Sequence, residues 1–275
     1  MNSEVSYPSA AILLCTYIGD DADLFEVVVK SIPDCVNSIK LNIYLHVDGP
    51  ISGATGSFID RNRTRFYKVF YSDVNIGLAA GLNKLVDNLD DEDFIFRVDA
   101  DDENINDRFL KTIDFLMKNP MIDIVGGQVL EVSDDNSFDD RVVSYFSGNI
   151  DLNRFILYRS PLAHNTVCFR RRVFVDGNRY PISSFTEDIA FWSVLLLRGY
   201  KINNVDQPFV RSRIGKKFFQ RRGLKRATIE FFLYMRLAFR HGYPVYGVSL
   251  AMIRFFVRLL PSSFKAFAYS LRTKF

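Results

Sequence analysis

The stretch Phe94-Ile95-Phe96-Arg97-Val98-Asp99-Ala100-Asp101-Asp102 constrains this chain more than any other. Its apolar residues around a single arginine predict a short buried strand, which runs directly into three carboxylates within four positions. Like charges at that spacing repel, and each carboxylate costs free energy to desolvate, so stability alone does not put acids there. A positive group is expected, and a hard divalent cation that keeps waters and bridges to phosphate oxygens is the usual solution. The carboxyl end of a strand is also where open α/β sheets bind ligands. The bland alternative, a solvated acidic loop, is the reading for Asp90 to Asp93 just upstream. A calcium loop of EF-hand type does not fit. Asn104 stands at the sixth position, where glycine makes the turn, and Leu110 at the twelfth, where a bidentate glutamate belongs.

Composition narrows the class. With 275 residues, 48% hydrophobic and 24% charged, the chain can bury a substantial core and is globular. Cys15, Cys35 and Cys168 are odd in number and widely spaced, which excludes a disulfide framework or a zinc pattern and fits a reducing cytoplasm. Cys15 and Cys168 lie in apolar runs and read as small buried hydrophobes. The first ten residues show no signal-peptide pattern, and no run approaches the ~20 apolar residues of a spanning helix. The net charge of +3 hides an asymmetry: from Arg211 onward there are 15 lysines and arginines against the single acid Glu230. The preceding part carries 20 basic and 31 acidic residues. An acidic body thus precedes a basic, aromatic-rich tail.

Ala10 to Tyr17 is a near-continuous apolar run, as in a strand buried on both faces of a parallel sheet, and it ends on Thr16 and Tyr17. Asp20, Asp21 and Asp23 are placed to cap a following helix. Leu41 to Val47 reads as a second strand stopping at Asp48-Gly49-Pro50, which puts Asp48 at another carboxyl end. Ile51 to Thr64 reads as a polar, glycine-containing loop and Arg65 to Tyr71 as a third strand. Asn75-Ile76-Gly77, with Gly81 and Asn83, opens a helix whose glycines permit either anion binding or close helix packing. A helix from about Asp107 to Lys118 and a strand from Ile122 to Val129 follow, then a polar, irregular connection from Glu131 to Gly148. The order predicts a doubly wound α/β fold. Further on, Ser160 to Asn165 precede a short strand, and Phe185 to Arg198 form a helix stopped by Gly199. Thr186 is a plausible cap, placing Glu187 and Asp188 in the first turn, where negative charge also favours the helix dipole.

Taken in order, these motifs resemble the family 2 glycosyltransferases of GT-A fold, above all bacterial members that build capsule, exopolysaccharide or lipopolysaccharide units. The matching pieces are Leu14-Cys15-Thr16-Tyr17, Val47-Asp48-Gly49, Asn75-x-Gly77 with Asn83, Arg97-x-Asp99-x-Asp101-Asp102, Pro161-x-x-His164, and Glu187-Asp188 with Trp192 and Gly199. One departure is visible: Cys15 and Ile18 replace the proline and asparagine of the family's Pro-Thr-Tyr-Asn. The resemblance implies a Rossmann-like, mixed but mostly parallel sheet flanked by helices. It implies a catalytic domain over residues 1–215, with a nucleotide-sugar half to about 130 and an acceptor half after it. Thr16 and Tyr17 would then line a nucleobase pocket, with Asp48 accepting a hydrogen bond from the base and Asn75 and Gly77 on the donor side. Asp99 would face the ribose or diphosphate and share with Asp101 the hold on a divalent metal, Mn2+ or Mg2+. Arg97 would steady the acids or the diphosphate. Asp188 would be the catalytic base, Glu187 its orienter or an acceptor contact, and His164 and Trp192 would shape the sugar pockets. A hydrogen-bonded histidine and a core tryptophan are the plain alternatives for those two.

The activity so implied is metal-dependent, inverting transfer of a hexosyl or N-acetylhexosaminyl group from a nucleotide sugar, UDP-sugar favoured, to a lipid-linked glycan. A catalytically inactive binding module and a sugar nucleotidyltransferase are the competing classes. The latter carries a glycine-rich loop with a basic residue after the first strand, where this chain has Tyr17-Ile18-Gly19-Asp20-Asp21. The segment 216–275 reads as one or two basic, aromatic-rich amphipathic helices. They would lie on the inner face of the cell membrane, or else pack on the catalytic body or on a second copy. Nucleic acid is not expected, given the acidic body.

Overall fold

The computed structural model describes residues 8–133, 139–146, 148, 150–182, 186–214 and 224–259. Strand β1 (Ala10–Tyr17) runs parallel to β3 (Ile39–Asp48) on one side and β5 (Phe94–Val98) on the other. A two-residue strand, β2 (Cys35–Val36), and β4 (Phe66–Ser72) both pair with β3, antiparallel and parallel respectively. Beyond β5 the sheet turns mixed. β9 (Cys168–Arg170) lies antiparallel between β5 and β7 (Ile124–Ser133), and β10 (Ile202–Ile214) runs parallel to β7. The antiparallel β6 (Asp102–Asn104) closes that edge against β10, and β8 (Arg141–Val143) pairs with β7.

The apolar run of β1 does what its composition requires. Ala11 and Leu13 point into one core cluster, and Ala10, Ile12 and Leu14 into the other, all with no exposed surface. The second cluster is covered by α1 (Ala22–Lys30), α2 (Gly53–Arg61) and α4 (Arg108–Lys118). The first is covered by α3 (Leu78–Val86), α5 (Leu152–Tyr158), the short α6 (Arg172–Val175) and α7 (Glu187–Leu197). Two further helices, α8 (Leu224–Arg240) and α9 (Pro244–Leu259), send Tyr234, Leu237 and Ala251 into that same cluster. His241 fixes them to the body through Ser193 Oγ on α7 (2.8 Å) and Asn153 Oδ1 on α5 (2.9 Å).

Several local expectations change. Residues 53–61 are helical and not loop: Ser52 Oγ accepts the Thr55 N–H at the helix start, and Thr55, Phe58 and Ile59 are buried. Two closely spaced glycines hide that short apolar stripe in the sequence. The connection after Glu131 contains regular structure, since β7 runs on to Ser133 and Glu131 pairs with Arg141 of β8 at 2.9 Å. Strand β10 has no simple sequence signature because it carries Asn203, Asn204, Asp206 and Pro208. The register against β7 shifts on either side of Pro208, the kind of irregularity that admits a proline into a sheet. Asn204 is buried there and donates to the carbonyls of Phe146 (2.9 Å) and Pro161 (3.0 Å).

Candidate active site

The carboxyl ends of β1, β3 and β5 and the start of α3 enclose a cavity of about 320 Å³, lined by Thr16, Tyr17, Asp48, Asn75, Gly77, Asp99 and Asp101. The register that aligns Tyr17 with Asp48 across β1 and β3 brings the two strand ends level. Asp48 is buried, and its two oxygens accept the backbone N–H groups of Ile76 (2.7 Å) and Gly77 (3.0 Å). Gly77 has φ +88°, a conformation that side chains disfavour, and it is the N-cap of α3. Glycine is required at position 49 for a second reason: a Cβ there would stand 2.8 Å from the Asn75 nitrogen. Gly81, by contrast, serves packing, because a Cβ would sit 2.5 Å from His46 Nδ1. Asp48 therefore holds the 75–77 turn in place as well as lining the cavity. Asp20, absent from the sequence-based site, also lines it and accepts the Tyr17 N–H at 3.0 Å. Burial pushes its carboxyl up to about 6.

Asp99 and Asp101 of that lining converge with the buried Asp102, and the carboxylate oxygens of the three fall within 4.8 Å of one another. Asp99 is ion-paired with Arg97, whose side chain is 2% exposed. Burial of that guanidinium disfavours its charge, yet the Asp99 carboxylate more than restores it and holds the arginine pKa up. Asp102, which the sequence includes in the acid run without a role, begins β6 and is buried. Asn165 Nδ2 donates to it at 2.6 Å. Burial, with Asp99 and Asp101 adding repulsion, pushes its carboxyl up to about 7. An all-oxygen set of three converging carboxylates, with one forced toward protonation by the others, fits a hard divalent cation.

A second cavity of about 340 Å³ opens on the other side of Asp99 and is lined by His164, Asn165, Asp188, Tyr145 and Arg159 among others. Asp188 reaches it from the first turn of α7, where Thr186 occupies the N-cap position without a capping bond from its side chain to that turn. Burial, then the neighbouring Glu187, pushes Asp188 up to about 6, while Arg97, Arg226 and the Ile189 N–H pull it back. Glu187 is likewise raised, by burial first, but does not line the cavity. His164 is held neutral by burial and by the Arg97 charge, and its Nε2 lies 3.2 Å from the Tyr180 hydroxyl. Trp192 does not reach either cavity. It has no exposed surface and packs edge-on to His164 (5.8 Å) and on Phe169 (5.9 Å), so it can act only by setting the imidazole. Arg226, in a basic cluster whose sequence suits either a diphosphate or anionic lipid headgroups, is a wall of this second cavity.

A sheet that is parallel through β4-β3-β1-β5 and mixed beyond, with an Asp-x-Asp at its centre and a helix-borne acid facing it, defines a GT-A glycosyltransferase fold. The family model described as glycosyl transferase family 2 matches residues 26–179. This chain belongs to that family. It is 30% identical over 275 residues to the UDP-Gal:alpha-D-GlcNAc-diphosphoundecaprenol beta-1,3-galactosyltransferase of Escherichia coli, covering 95% of each chain. The amylovoran biosynthesis glycosyltransferase AmsE of Erwinia amylovora is 25% identical over 87% of this chain and 92% of its own. Among solved structures, the mannosyltransferase PcManGT from Pyrobaculum calidifontis, in complex with GDP-Man and Mn2+, superposes with TM-score 0.64 and 15% identity. That match covers 97% of this chain and 81% of the other. The chain is thus a glycosyltransferase whose curated relatives are bacterial and include enzymes of polysaccharide synthesis.

Proposed function

We propose that the protein transfers a hexosyl or N-acetylhexosaminyl group, with inversion, from a UDP-sugar to a lipid-linked glycan in bacterial surface polysaccharide synthesis. The observation that carries this reading is that Asp99 lines both cavities, so the donor side and the side holding Asp188 meet at one residue. The nucleoside would occupy the first cavity between Tyr17 and the 75–77 turn, with Asp48 accepting from the base. Asp99 and Asp101, joined by Asp102, would hold Mn2+ or Mg2+, which when bound offsets the charge that develops on the departing diphosphate.

Asp188 then takes the proton of the acceptor hydroxyl as that oxygen attacks the anomeric carbon from the face opposite the diphosphate. The glycosidic bond forms as the bond to the diphosphate breaks, and the configuration inverts. A carboxylate whose pKa stands near 6 is ionised at neutral pH and is a better base than an exposed aspartate. The neutral His164 beside it donates or accepts a hydrogen bond to sugar hydroxyls without competing for the proton.

For the lipid-linked acceptor, support comes from the E. coli relative, whose name states an undecaprenol-diphosphate acceptor. No helix among the described residues is long and apolar enough to cross a membrane. Phe232, Phe239, Ile253 and Phe256 are each about 60% exposed on α8 and α9, with Arg236 and Arg240 beside them. We read that face as resting on the inner surface of the cell membrane. The basic residues at 215–223 lie outside the described residues. The deciding experiment incubates the protein and Mn2+ with a panel of nucleotide sugars and a lipid-diphosphate-linked monosaccharide, and determines the anomeric configuration of the product. Retained configuration, or release of pyrophosphate instead of a nucleoside diphosphate, refutes the assignment.

A further inference from the structure

We propose that the side of the second cavity formed by the end of α5 and by α8 and α9 is a metal-independent seat for the acceptor's diphosphate, held by Arg159, Arg226, Arg254 and Arg258. The proposal rests on the transfer to a lipid-linked glycan argued above and deepens it.

The polarity of α9 is the first observation. Gly247, Ala251, Arg254 and Arg258 recur at spacings of four, three and four. The two small residues are buried, and the two arginines line the cavity. The exposed positions of that helix are Pro244, Val245, Ser249, Met252, Ile253, Phe256, Val257 and Leu259, all but Ser249 apolar. A helix in water turns its apolar stripe inward and its charges outward. This one sends guanidinium groups inward and aromatic and aliphatic groups outward. Charges are costly to enclose without a partner. The pattern therefore fits an anionic ligand within the cavity and an apolar medium outside it.

Charge counting points the same way. Glu230, 6% exposed, takes both Arg226 (3.0 Å) and Arg258 (2.8 Å), and one carboxylate neutralises only one of them. Glu131, also on the cavity wall, pairs with Arg141. Arg254 Nη2 donates to the Tyr158 carbonyl at 2.8 Å, whereas its Nη1 is buried with no hydrogen-bond partner among the described residues. Arg159 lies over the Tyr145 ring at 4.9 Å, a contact that supplies no carboxylate. Four guanidinium groups thus line this side, and Glu230 is the carboxylate that pairs with two of them. A diphosphate ester supplies two to three negative charges and oxygens that suit bidentate arginine. Arg226 also lies close enough to Asp188 to lower that carboxyl's pKa. An acceptor sugar attached to a diphosphate on Arg226 would therefore have its hydroxyls within reach of the base. The lipid chain beyond would leave toward the exposed apolar face.

The test uses the full chain and two probes, decyl diphosphate in EDTA and UDP with Mn2+, followed by calorimetry. Decyl diphosphate should bind without metal and lose at least tenfold in affinity in Arg254→Gln and in Arg258→Gln. Arg159→Gln, which breaks no ion pair among the described residues, should lose several-fold and so guards against misfolding as the cause. Binding of UDP with Mn2+ should be unchanged in all three and lost in Asp101→Ala, which should keep decyl diphosphate. The proposal is overturned if decyl diphosphate needs Mn2+ or competes with UDP. It is also overturned if the arginine variants bind as the wild type does, or if phosphatidylglycerol micelles bind as well as the diphosphate. Failure of the transfer reading looks different: no sugar reaches any lipid-linked acceptor, while metal-free diphosphate binding still depends on the arginines.

Discussion

Arg97 is enclosed in the centre of the sheet and paired with Asp99, while its charge also lowers the pKa of Asp188. One guanidinium thereby serves both halves of the site. Replacing it with methionine should leave Asp99 without its countercharge and destabilise the fold by about 3 kcal/mol, read by urea denaturation. In Arg97→Lys, which keeps a charge, the acid limb of the pH profile should stay near its wild-type position. In Arg97→Met that limb should move to higher pH. An unmoved limb in the methionine variant would show that the two groups do not communicate.

Asp188→Asn should cut transfer by roughly 100- to 10,000-fold while UDP binding persists. In the wild type, kcat should fall as pH drops through about 6, where the base becomes protonated. Stability should move the other way. The folded carboxyl holds its proton more tightly than the unfolded one, so its contribution is complete below about 4. It is lost as pH rises through about 6. Thermal denaturation above pH 7 should accordingly find Asp188→Asn at least as stable as the wild type.

Metal dependence is checked by binding before activity. Manganese should tighten UDP binding at least tenfold in the wild type and have no such effect in Asp101→Ala. Asp102→Asn should fold normally, because Asn165 can still hydrogen-bond an amide, but should need more manganese for half-maximal transfer.

The seat of the C-terminal helices is testable at Gly247. A methyl group there would stand 2.5 Å from the Ala238 Cβ and 2.9 Å from its Cα, so backbone would have to move. Gly247→Ala should cost about 1–3 kcal/mol by overpacking. Hydrogen exchange should localise that loss to residues 224–259.

Charged substitutions on the outward face, Phe232→Glu with Phe256→Glu, should abolish binding to anionic vesicles. Transfer to a short-chain acceptor in solution should persist. Vesicle binding equal to the wild type would leave that face for a protein partner.

Much of the frame is decided by local pattern. The apolar runs at 10–14 and 94–98 dictate strands buried on both faces, and Asp48, Asp99 and Asp101 end up around one cavity because parallel strands bring their carboxyl ends to one edge. The helix at 53–61 and the strand at 202–214 lack such a pattern, since glycines dilute one and asparagines and a proline interrupt the other.

The sequence by itself thus determined the fold class, the acid cluster and the pairing of Glu187 with Asp188, because each is written in adjacent residues. Only the tertiary structure decided that Asn165 holds Asp102, that Trp192 is core while His164 lines the cavity, and that arginines of α8 and α9 wall the chamber containing Asp188. Those relationships join residues up to about 70 positions apart. Long-range packing brings them together, and no local pattern encodes which buried side a charged or aromatic side chain will face.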